Sequence, residues 1–550
     1  MPLSSRREFI AAAAAASAGA ALGGAARRPP AAPTPNYWCT WATQARTLAA
    51  HRAAGDIVFP GDQGAVGVRD NLCEQVLFRK PIGWARSLYP ESRGEMNFLL
   101  DDGWDVDFGL PPGETKPYGS MVLNAQRFQS FGGSPADRLK ELVKRVRDLG
   151  WRGLGLWVSP QSVGENWTFN LPRERVYDEL RRKMEWCGEA GVAYLKVDWG
   201  ARDGDIEYRR RMSELARELA PGMLVEHCRT LGVPMNGVRV EKVDGRDAVA
   251  SAGGRCEGDP GFDERVRRHA EALLAFSDVF RIYDMTEPLL VPQALERTQV
   301  LLRIAERVGG SAYVNVEDMP YLGAALGCSL GVMRAANWPD KAGRDVLFRH
   351  RRTGEVVRAI AWQRLAPPFR SRKDFPTRRT DATLTDNWSF TSDDTWYRPV
   401  YGRTIPQTAP AAVVRGLASF PRVVDAGEGV PFVAAMLHPN GAFAVAALPR
   451  VDAVHGCRVP AADVEIELPR TALAGAPVGV FGRFHALSLG GFGARPKAVT
   501  ARDLAGGEER DVSAACGFVD GRLVVDGRLL DSISSPNDLS DPAALLRIHA

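Results

Sequence analysis

The sequence has 550 residues, of which 45% are hydrophobic and 25% are charged, and its formal net charge is +4. This composition is that of a globular protein with one large domain and a smaller one, and the small charge gives no sign of a nucleic-acid partner. No apolar run after residue 26 is long enough to span a bilayer, so we expect no membrane association after removal of a leader.

The first segment has the layout of a twin-arginine export signal. Arg6 and Arg7 stand before an Ala-rich apolar stretch that runs to Ala26, and a Pro/Ala-rich linker follows at 27–36. We expect residues 1–26 to direct export of the folded protein to the periplasm or the medium. A disordered leader or a membrane anchor is the alternative.

From residue 37 the chain alternates short apolar runs with longer helical patterns, which predicts a parallel sheet with crossover helices. Eight runs can be counted: Tyr37 to Thr40, Met96 to Asp101, Gly153 to Val158, Ala193 to Asp198, Met223 to Cys228, Val279 to Asp284, Ala312 to Val316, and a segment near Leu365 to Phe369. Eight such strands predict an α/β fold, a (β/α)8 TIM barrel over residues 37–403.

Three helices have readable boundaries. Ser134 and Pro135 form a start signal, and Gly150 ends the pattern that follows them. The other two helices are predicted at 173–190 and at 205–219.

The pattern changes toward the C-terminus. Residues 371–403 are polar, charged and aromatic without clear periodicity, which predicts a long loop that either is solvated or covers the barrel mouth. Residues 404–550 show short strands with turn signals, including a hairpin around Asn440 and Gly441. We therefore expect a C-terminal antiparallel β domain, a β-sandwich, after the barrel.

Acidic residues end three of the predicted barrel strands. Asp101 and Asp102 follow the second strand, Asp198 follows the fourth, and Asp284 follows the sixth. Residues at the carboxyl ends of barrel strands face the mouth, where substrate binds. Each acid stands near a cation or an indole, which suits a sugar site because carboxylates and cations bind hydroxyls and indoles stack on the apolar face of the ring. Ordinary surface or helix-capping acids are the alternative.

Four segments resemble motifs of a known enzyme group. FLLDDGW, GLGLWVSP, AYLKVDWG and FRIYDMTEP, in this order, resemble the successive strand-end motifs of clan D glycoside hydrolases, families 27 and 36, the α-galactosidase group. The resemblance implies that Asp198 is the nucleophile and Asp284 the acid/base of a retaining reaction. It covers roughly residues 37 to 370, and a C-terminal β domain is what these families carry.

The resemblance also implies substrate contacts. Asp101 and Asp102 fall where the group holds galactose hydroxyls, Lys196 falls where it contacts ring hydroxyls, and Arg281 falls near its strand-six arginine. The segment 315–320 (NVEDMP) resembles the seventh-strand motif of the group. Further candidate substrate-binding residues are Trp104, Trp157, Cys228 and Arg229; each tryptophan is as readily a core residue.

Strand five departs from the group. It reads Val225 to Arg229 (VEHCR), and the long family 36 signature is absent. The same barrel acting on an α-N-acetylgalactosaminide, a β-L-arabinopyranoside or an α-glucan is therefore an alternative, and a carbohydrate-binding protein without turnover is another. The expected partner in each case is an oligosaccharide or a glycoside.

Residue types and their spacing also bear on cofactors, metal sites and other nucleophiles. Two carboxylates suffice for glycoside hydrolysis, so we expect neither a metal nor an organic cofactor. The eight cysteines show no zinc-type spacing, and their disulfide pairing cannot be read from the sequence. His227 and Cys228 are adjacent in one strand and should point to opposite faces, which argues against a Cys/His nucleophile. We expect Lys196 to lie on the same face as Asp198 and to favour its ionised form.

Overall fold

The computed structural model describes fifteen ranges of the chain, namely 34–44, 65–109, 118–161, 173–202, 204–229, 238–243, 246–252, 264–282, 290–310, 312–336, 352–389, 404–452, 456–469, 473–534 and 540–549. All of these ranges fall in one compact unit, Thr34–Ala550. The predicted export signal and residues 27–33 of the predicted linker lie outside the described residues.

Eight parallel strands close into a barrel. In chain order they are β1 Tyr37–Cys39, β2 Asn97–Leu100, β3 Gly153–Val158, β4 Tyr194–Val197, β5 Leu224–Arg229, β8 Val279–Ile282, β9 Tyr313–Glu317 and β10 Ser329–Val332. Each pairs in parallel with its neighbours, and β10 closes the ring on β1. The predicted (β/α)8 barrel is confirmed.

The eighth barrel strand was predicted at the wrong place. It is Ser329–Val332, whereas the run from Leu365 to Phe369 follows a helix and contains no strand. Gly327 ends the helix before β10 in a left-handed conformation (φ 63°), and its carbonyl accepts a hydrogen bond from the Phe369 amide (3.1 Å). A four-residue run such as SLGV is too short for sequence periodicity to separate from a loop.

Helices surround the barrel. They are α1 Ala65–Asp70, α2 Glu74–Phe78, α3 Trp84–Ser87, α4 Pro135–Asp148, α5 Arg173–Ala190, α6 Ile206–Leu219, α7 Glu264–Leu274, α8 Leu290–Val308, α9 Pro320–Leu326 and α10 Thr353–Gln363. The three predicted helices are α4, α5 and α6. Ser134 caps α4 through a reciprocal capping box with Asp137, and Asp205 caps α6.

Between β5 and β8 the chain forms a hairpin that was not predicted. Its strands are β6 Val238–Val243 and β7 Arg246–Ala252, which pair antiparallel. The hairpin lies outside the barrel ring.

The C-terminal part contains two large sheets. The remaining strands are β11 Thr377–Arg379, β12 Thr383–Ser389, β13 Thr404–Pro410, β14 Ala412–Arg415, β15 Arg422–Asp425, β16 Phe432–Leu437, β17 Phe443–Leu448, β18 Arg450–Asp452, β19 Gly456–Arg458, β20 Ala462–Glu467, β21 Ala474–Phe481, β22 Ala486–Gly490, β23 Ala498–Asp503, β24 Arg510–Asp511, β25 Gly517–Val519, β26 Arg522–Asp526 and β27 Ala543–His549, with helix α11 Gly527–Ile533 before the last. One sheet has the order β11-β14-β16-β17-β21-β27-β23-β24, and the other has the order β15-β20-β22-β26-β25.

Most neighbours in these sheets run antiparallel, as predicted, but three pairs are parallel: β14 with β16, β17 with β21, and β20 with β22. The predicted hairpin is confirmed as β16 and β17. Buried side chains of both sheets, such as Val445 and Leu487, share one hydrophobic cluster. On its other face the eight-stranded sheet contacts the barrel helices, where Trp362 of α10 packs edge-on against Phe481 (6.0 Å).

The stretch 371–403, predicted as a loop, contains two strands. β11 pairs with β14 and so forms the edge of the eight-stranded sheet, and β12 pairs with β13. The strands of the C-terminal sheets thus begin before the predicted start at 404. Alternating Thr side chains support β12, but the charged residues around it hid the pattern.

Within the described ranges, no helix combines the length and the apolar character that crossing a bilayer requires.

Candidate active site

Asp198 stands directly after β4, at the barrel mouth. Its side chain is buried, and its Oδ2 atom accepts a hydrogen bond from the Trp157 indole Nε1 (2.9 Å). The Asp198 amide donates to the Val158 carbonyl (3.0 Å), and the Arg209 Nη2 atom donates to the Asp198 carbonyl (2.6 Å). Contacts from β3 and from α6 therefore fix both the carboxylate and the backbone of Asp198.

Lys196 lies two residues before Asp198 and is fully buried. Its Nζ atom donates to Asp101 Oδ2 (2.7 Å), an oxygen to which the Cys39 thiol also donates (2.9 Å). Burial and the adjacent Asp101 charge raise the pKa of the Cys39 thiol well above its ordinary value, so it stays protonated as a donor. The sequence predicted Lys196 as a neighbour of the nucleophile, and the structure adds Asp101 as an ion-pair partner.

Asp102 pairs with an arginine that the sequence analysis did not single out. Arg69 Nε donates to Asp102 Oδ2 (2.6 Å), and both side chains are buried. The Arg69 guanidinium lies over the Tyr118 ring (4.7 Å to its centroid) and near the Trp199 ring (5.9 Å). Burial raises the pKa of Asp102 to about 7, although the charge and hydrogen bond of Arg69 act in the opposite direction.

Arg281 is part of a buried ion network inside the barrel. Its Nε atom donates to Glu226 Oε1 (3.0 Å), and its Nη1 atom donates to Glu317 Oε2 (2.8 Å). The hydroxyls of Tyr37 and Tyr194 also donate to Glu226, at 3.3 and 2.9 Å. The charge of Arg281 is thus compensated by two carboxylates, which weakens its effect on any acid at the mouth.

The other candidate residues have mixed outcomes. Trp104 is fully buried and donates from Nε1 to the Trp157 carbonyl (2.8 Å), so it supports the residue that binds Asp198. Cys228 is buried near the end of β5. Arg229 is the last residue of β5, and its side chain lies outside the described residues. Asp284 also lies outside them.

His227 points away from Glu226, its neighbour in β5. Its ring nitrogens contact Arg209 (3.3 Å) and the Ser213 hydroxyl (2.8 Å), both on α6. Burial and the Arg209 charge lower the pKa of His227 well below its ordinary value, so it is neutral. This environment is that of a packed structural histidine and gives no support to a Cys/His nucleophile.

Sequence reasoning missed Arg69, Arg209 and the carboxylates of the buried network, Glu226 and Glu317. A signal for the network was present in β9, where Asn315 and Glu317 alternate with valines. Long side chains at such positions fill the barrel interior. The seven cysteines within the described ranges are buried, and no group of three or more His, Cys, Asp or Glu side chains there could hold a metal ion.

No model of a known protein family and no curated protein matches the chain. Solved structures do resemble it. A β-L-arabinopyranosidase of glycoside hydrolase family 27 from Geobacillus stearothermophilus is 9% identical, with a TM-score of 0.40 over 95% of this chain and 97% of that one. A putative α-galactosidase/melibiase from Bacteroides fragilis is 10% identical, with a TM-score of 0.39 over 94% and 79%.

A putative α-N-acetylgalactosaminidase from Bacillus halodurans is 11% identical, with a TM-score of 0.34 over 82% and 88%. These proteins carry the names of the enzyme group that the strand-end motifs resemble. At such identities and TM-scores, the likeness carries no conclusion about the activity of this chain.

Proposed function

We propose that the protein is a retaining glycoside hydrolase that cleaves terminal α-glycosidic bonds, with Asp198 as nucleophile and Asp284 as acid/base. The placement of Asp198 is the observation that carries the proposal. It is a buried carboxylate at the carboxyl end of a strand in a closed parallel barrel, and an indole N–H holds one of its oxygens. A carboxylate fixed in this way at the mouth has the position that a nucleophile toward a sugar carbon requires.

The reaction has two steps. In the first, an Asp198 oxygen bonds to C1 of the sugar while the C1–O bond to the leaving group breaks, and Asp284 gives its proton to the departing oxygen. In the second, Asp284 takes a proton from water, whose oxygen bonds to C1 as the bond to Asp198 breaks. Retaining enzymes hold the two carboxyl groups about 5–5.5 Å apart. The reaction requires no metal or organic cofactor.

The neighbours of Asp198 suit a bound sugar. Lys196 and Asp101 form a donor and acceptor pair beside it, and they would bind ring hydroxyls. Trp199 is partly exposed and could stack on the apolar face of the ring. The Trp157 indole N–H is a described donor to the Asp198 carboxylate.

An α-galactoside is the proposed substrate, because the LKVD motif and the paired Asp101 and Asp102 favour it. The departure in β5 favours a different sugar of similar shape. Hydrolysis of a panel of nitrophenyl α- and β-glycosides, with Asp198→Ala and Asp284→Ala alongside, tests both. Release from the α-galactoside that is lost in both variants is the expected result. Release of nitrophenol from another glycoside instead would show that the enzyme prefers a different sugar. Binding of a sugar without release of nitrophenol from any glycoside would favour a binding protein.

We also propose that the protein is exported through its twin-arginine signal. The arginine pair at 6 and 7 and the apolar stretch that follows support this. Replacing both arginines by lysine should keep the protein in the cytoplasmic fraction of a bacterial host, whereas the unchanged chain should be found outside it. The proposal would be refuted if the variant and the unchanged chain were distributed equally between the cytoplasmic fraction and the exterior.

A further inference from the structure

Arg69, on α1, is a buried cation whose surroundings differ from those of a structural arginine. Its side chain is 3% exposed, and its Nε atom is bound to Asp102 Oδ2. Its guanidinium lies against the aromatic rings of Tyr118 and Trp199. Trp199 directly follows Asp198, and Asp102 directly follows Asp101, so Arg69 lies between the two loops that carry the proposed catalytic and binding carboxylates.

One donor and one acceptor of this ion pair have no hydrogen-bond partner among the described residues. They are the Arg69 Nη1 atom and the Asp102 Oδ1 atom, both buried. An unsatisfied buried polar atom is costly, and native proteins leave few of them. The pair therefore has an N–H donor and a carboxylate oxygen whose hydrogen bonds the described residues do not supply.

A neighbouring arginine shows the contrast. Arg127 is also buried and also forms an ion pair, with Asp70 (2.7 Å). Its Nε atom donates to the Val106 carbonyl (2.6 Å), and its Nη1 atom donates to the carbonyls of Arg69 and Leu72, at 2.8 and 3.1 Å. All three nitrogens of the Arg127 guanidinium donate hydrogen bonds to described residues, whereas the Arg69 Nη1 atom donates to none of them.

The chemistry of the ligand follows from the pair and its surroundings. A hydroxyl group accepts one hydrogen bond and donates another, which matches one N–H and one carboxylate oxygen. An anionic group is disfavoured there, because Asp101 and Asp105 lie close enough to Asp102 to raise its pKa. The group that fits is the hydroxyl of a neutral sugar.

We propose that Arg69 is a specificity-determining residue that, together with Asp102, binds one ring hydroxyl of a neutral pyranoside. This rests on the proposed function, since the pyranoside is the substrate of the same barrel mouth. The hydroxyl oxygen accepts from Arg69 Nη1, and the hydroxyl proton is donated to Asp102 Oδ1. Arg69 contributes to sugar choice and takes no part in bond making.

Binding to monosaccharides tests the proposal without requiring turnover. The probes are D-galactose and each of its monodeoxy derivatives, titrated into the full chain while tryptophan fluorescence is recorded. The wild type should bind galactose about tenfold or more tightly than the one derivative that lacks the recognised hydroxyl. Arg69→Gln should weaken galactose binding by a similar factor and leave the affinity for that derivative unchanged.

Two further variants keep the test decisive. The double variant Arg69→Gln with Asp102→Asn replaces the ion pair by neutral amides and should fold even where the single change does not; it should show the same loss of discrimination. Arg358→Gln removes the ion pair (2.8 Å) between Arg358 of α10 and Asp503 of the C-terminal strand β23, and it should leave discrimination intact.

The proposal is overturned if Arg69→Gln changes the affinity for every sugar equally, if it leaves galactose binding unchanged, or if the wild type binds none of the sugars. Hydrolysis separates it from the proposed function. Glycoside cleavage that depends on Asp198 while Arg69→Gln leaves discrimination intact would refute this inference alone. Absence of cleavage from any glycoside would refute the proposed function, whatever Arg69 does.

Discussion

Replacing Arg281 by methionine should destabilise the barrel strongly. The change removes the cation between Glu226 and Glu317, whose oxygens lie 3.0 and 2.8 Å from its nitrogens. All three side chains are at most 4% exposed, so the two carboxylates would stay buried without their counter-charge. Breaking a buried ion pair from one side costs about 3–5 kcal/mol, and the hydroxyls of Tyr37 and Tyr194 offset part of this at Glu226.

The assay is urea unfolding at neutral pH, followed by tryptophan fluorescence. Arg281→Met should lower the free energy of unfolding by about 3–5 kcal/mol. Combining it with Glu226→Gln and Glu317→Gln should recover most of the loss. A loss below about 1 kcal/mol, as for an exposed ion pair, or no recovery in the triple variant would refute the reasoning.

Three further predictions concern the site and the barrel interior. Burial raises the pKa of Asp102 to about 7, above about 3.9 in an unfolded chain, so its contribution to stability is present at acidic pH and is lost as pH rises through about 7. Asp102→Asn should flatten this fall in urea unfolding, by at most about 1.4 kcal/mol per pH unit, and an unchanged slope would contradict the assignment. Arg209 donates hydrogen bonds to the carbonyls of Val197 and Asp198. Arg209→Lys should therefore lower the free energy of unfolding by about 1.5–3 kcal/mol and reduce kcat more than it changes KM. An unaltered kcat would show that Arg209 does not position the nucleophile. A Cβ atom on Gly331 would lie 2.6 Å from the Tyr37 hydroxyl, so Gly331→Ala should lower the free energy of unfolding by about 1–3 kcal/mol, measured by thermal unfolding. Gly132→Ala is the control, because a Cβ atom there meets no atom within 4 Å, and it should lower the free energy of unfolding by less.

The sequence predicted the barrel because its strands are short, apolar and regularly followed by helices. Seven of the eight strands were located, and the acids that follow β2 and β4 were placed at the mouth. Those predictions need only local patterns. The eighth strand, Ser329–Val332, was missed because four residues after a seven-residue helix carry too little periodicity to be recognised.

The contacts of the site could not be predicted in the same way. Arg69 and Asp102 are separated by 33 positions, and Tyr37 and Glu226 by 189. Only the folded barrel brings such residues together, so a single sequence shows neither partner. Asn315 and Glu317 alternate with valines along β9, but which charges pair inside the barrel depends on how far the strands are staggered around the ring.

The identity of the nucleophile is the central claim, and labelling with an activated fluorosugar tests it most directly. Such a sugar forms the glycosyl-enzyme and slows its hydrolysis, so that the modified peptide can be identified by mass spectrometry. The account predicts a single label on Asp198, in the peptide that begins after Lys196, and no label on Asp198→Ala. A label on a different carboxylate, or cleavage that proceeds with inversion and leaves no labelled peptide, would contradict it.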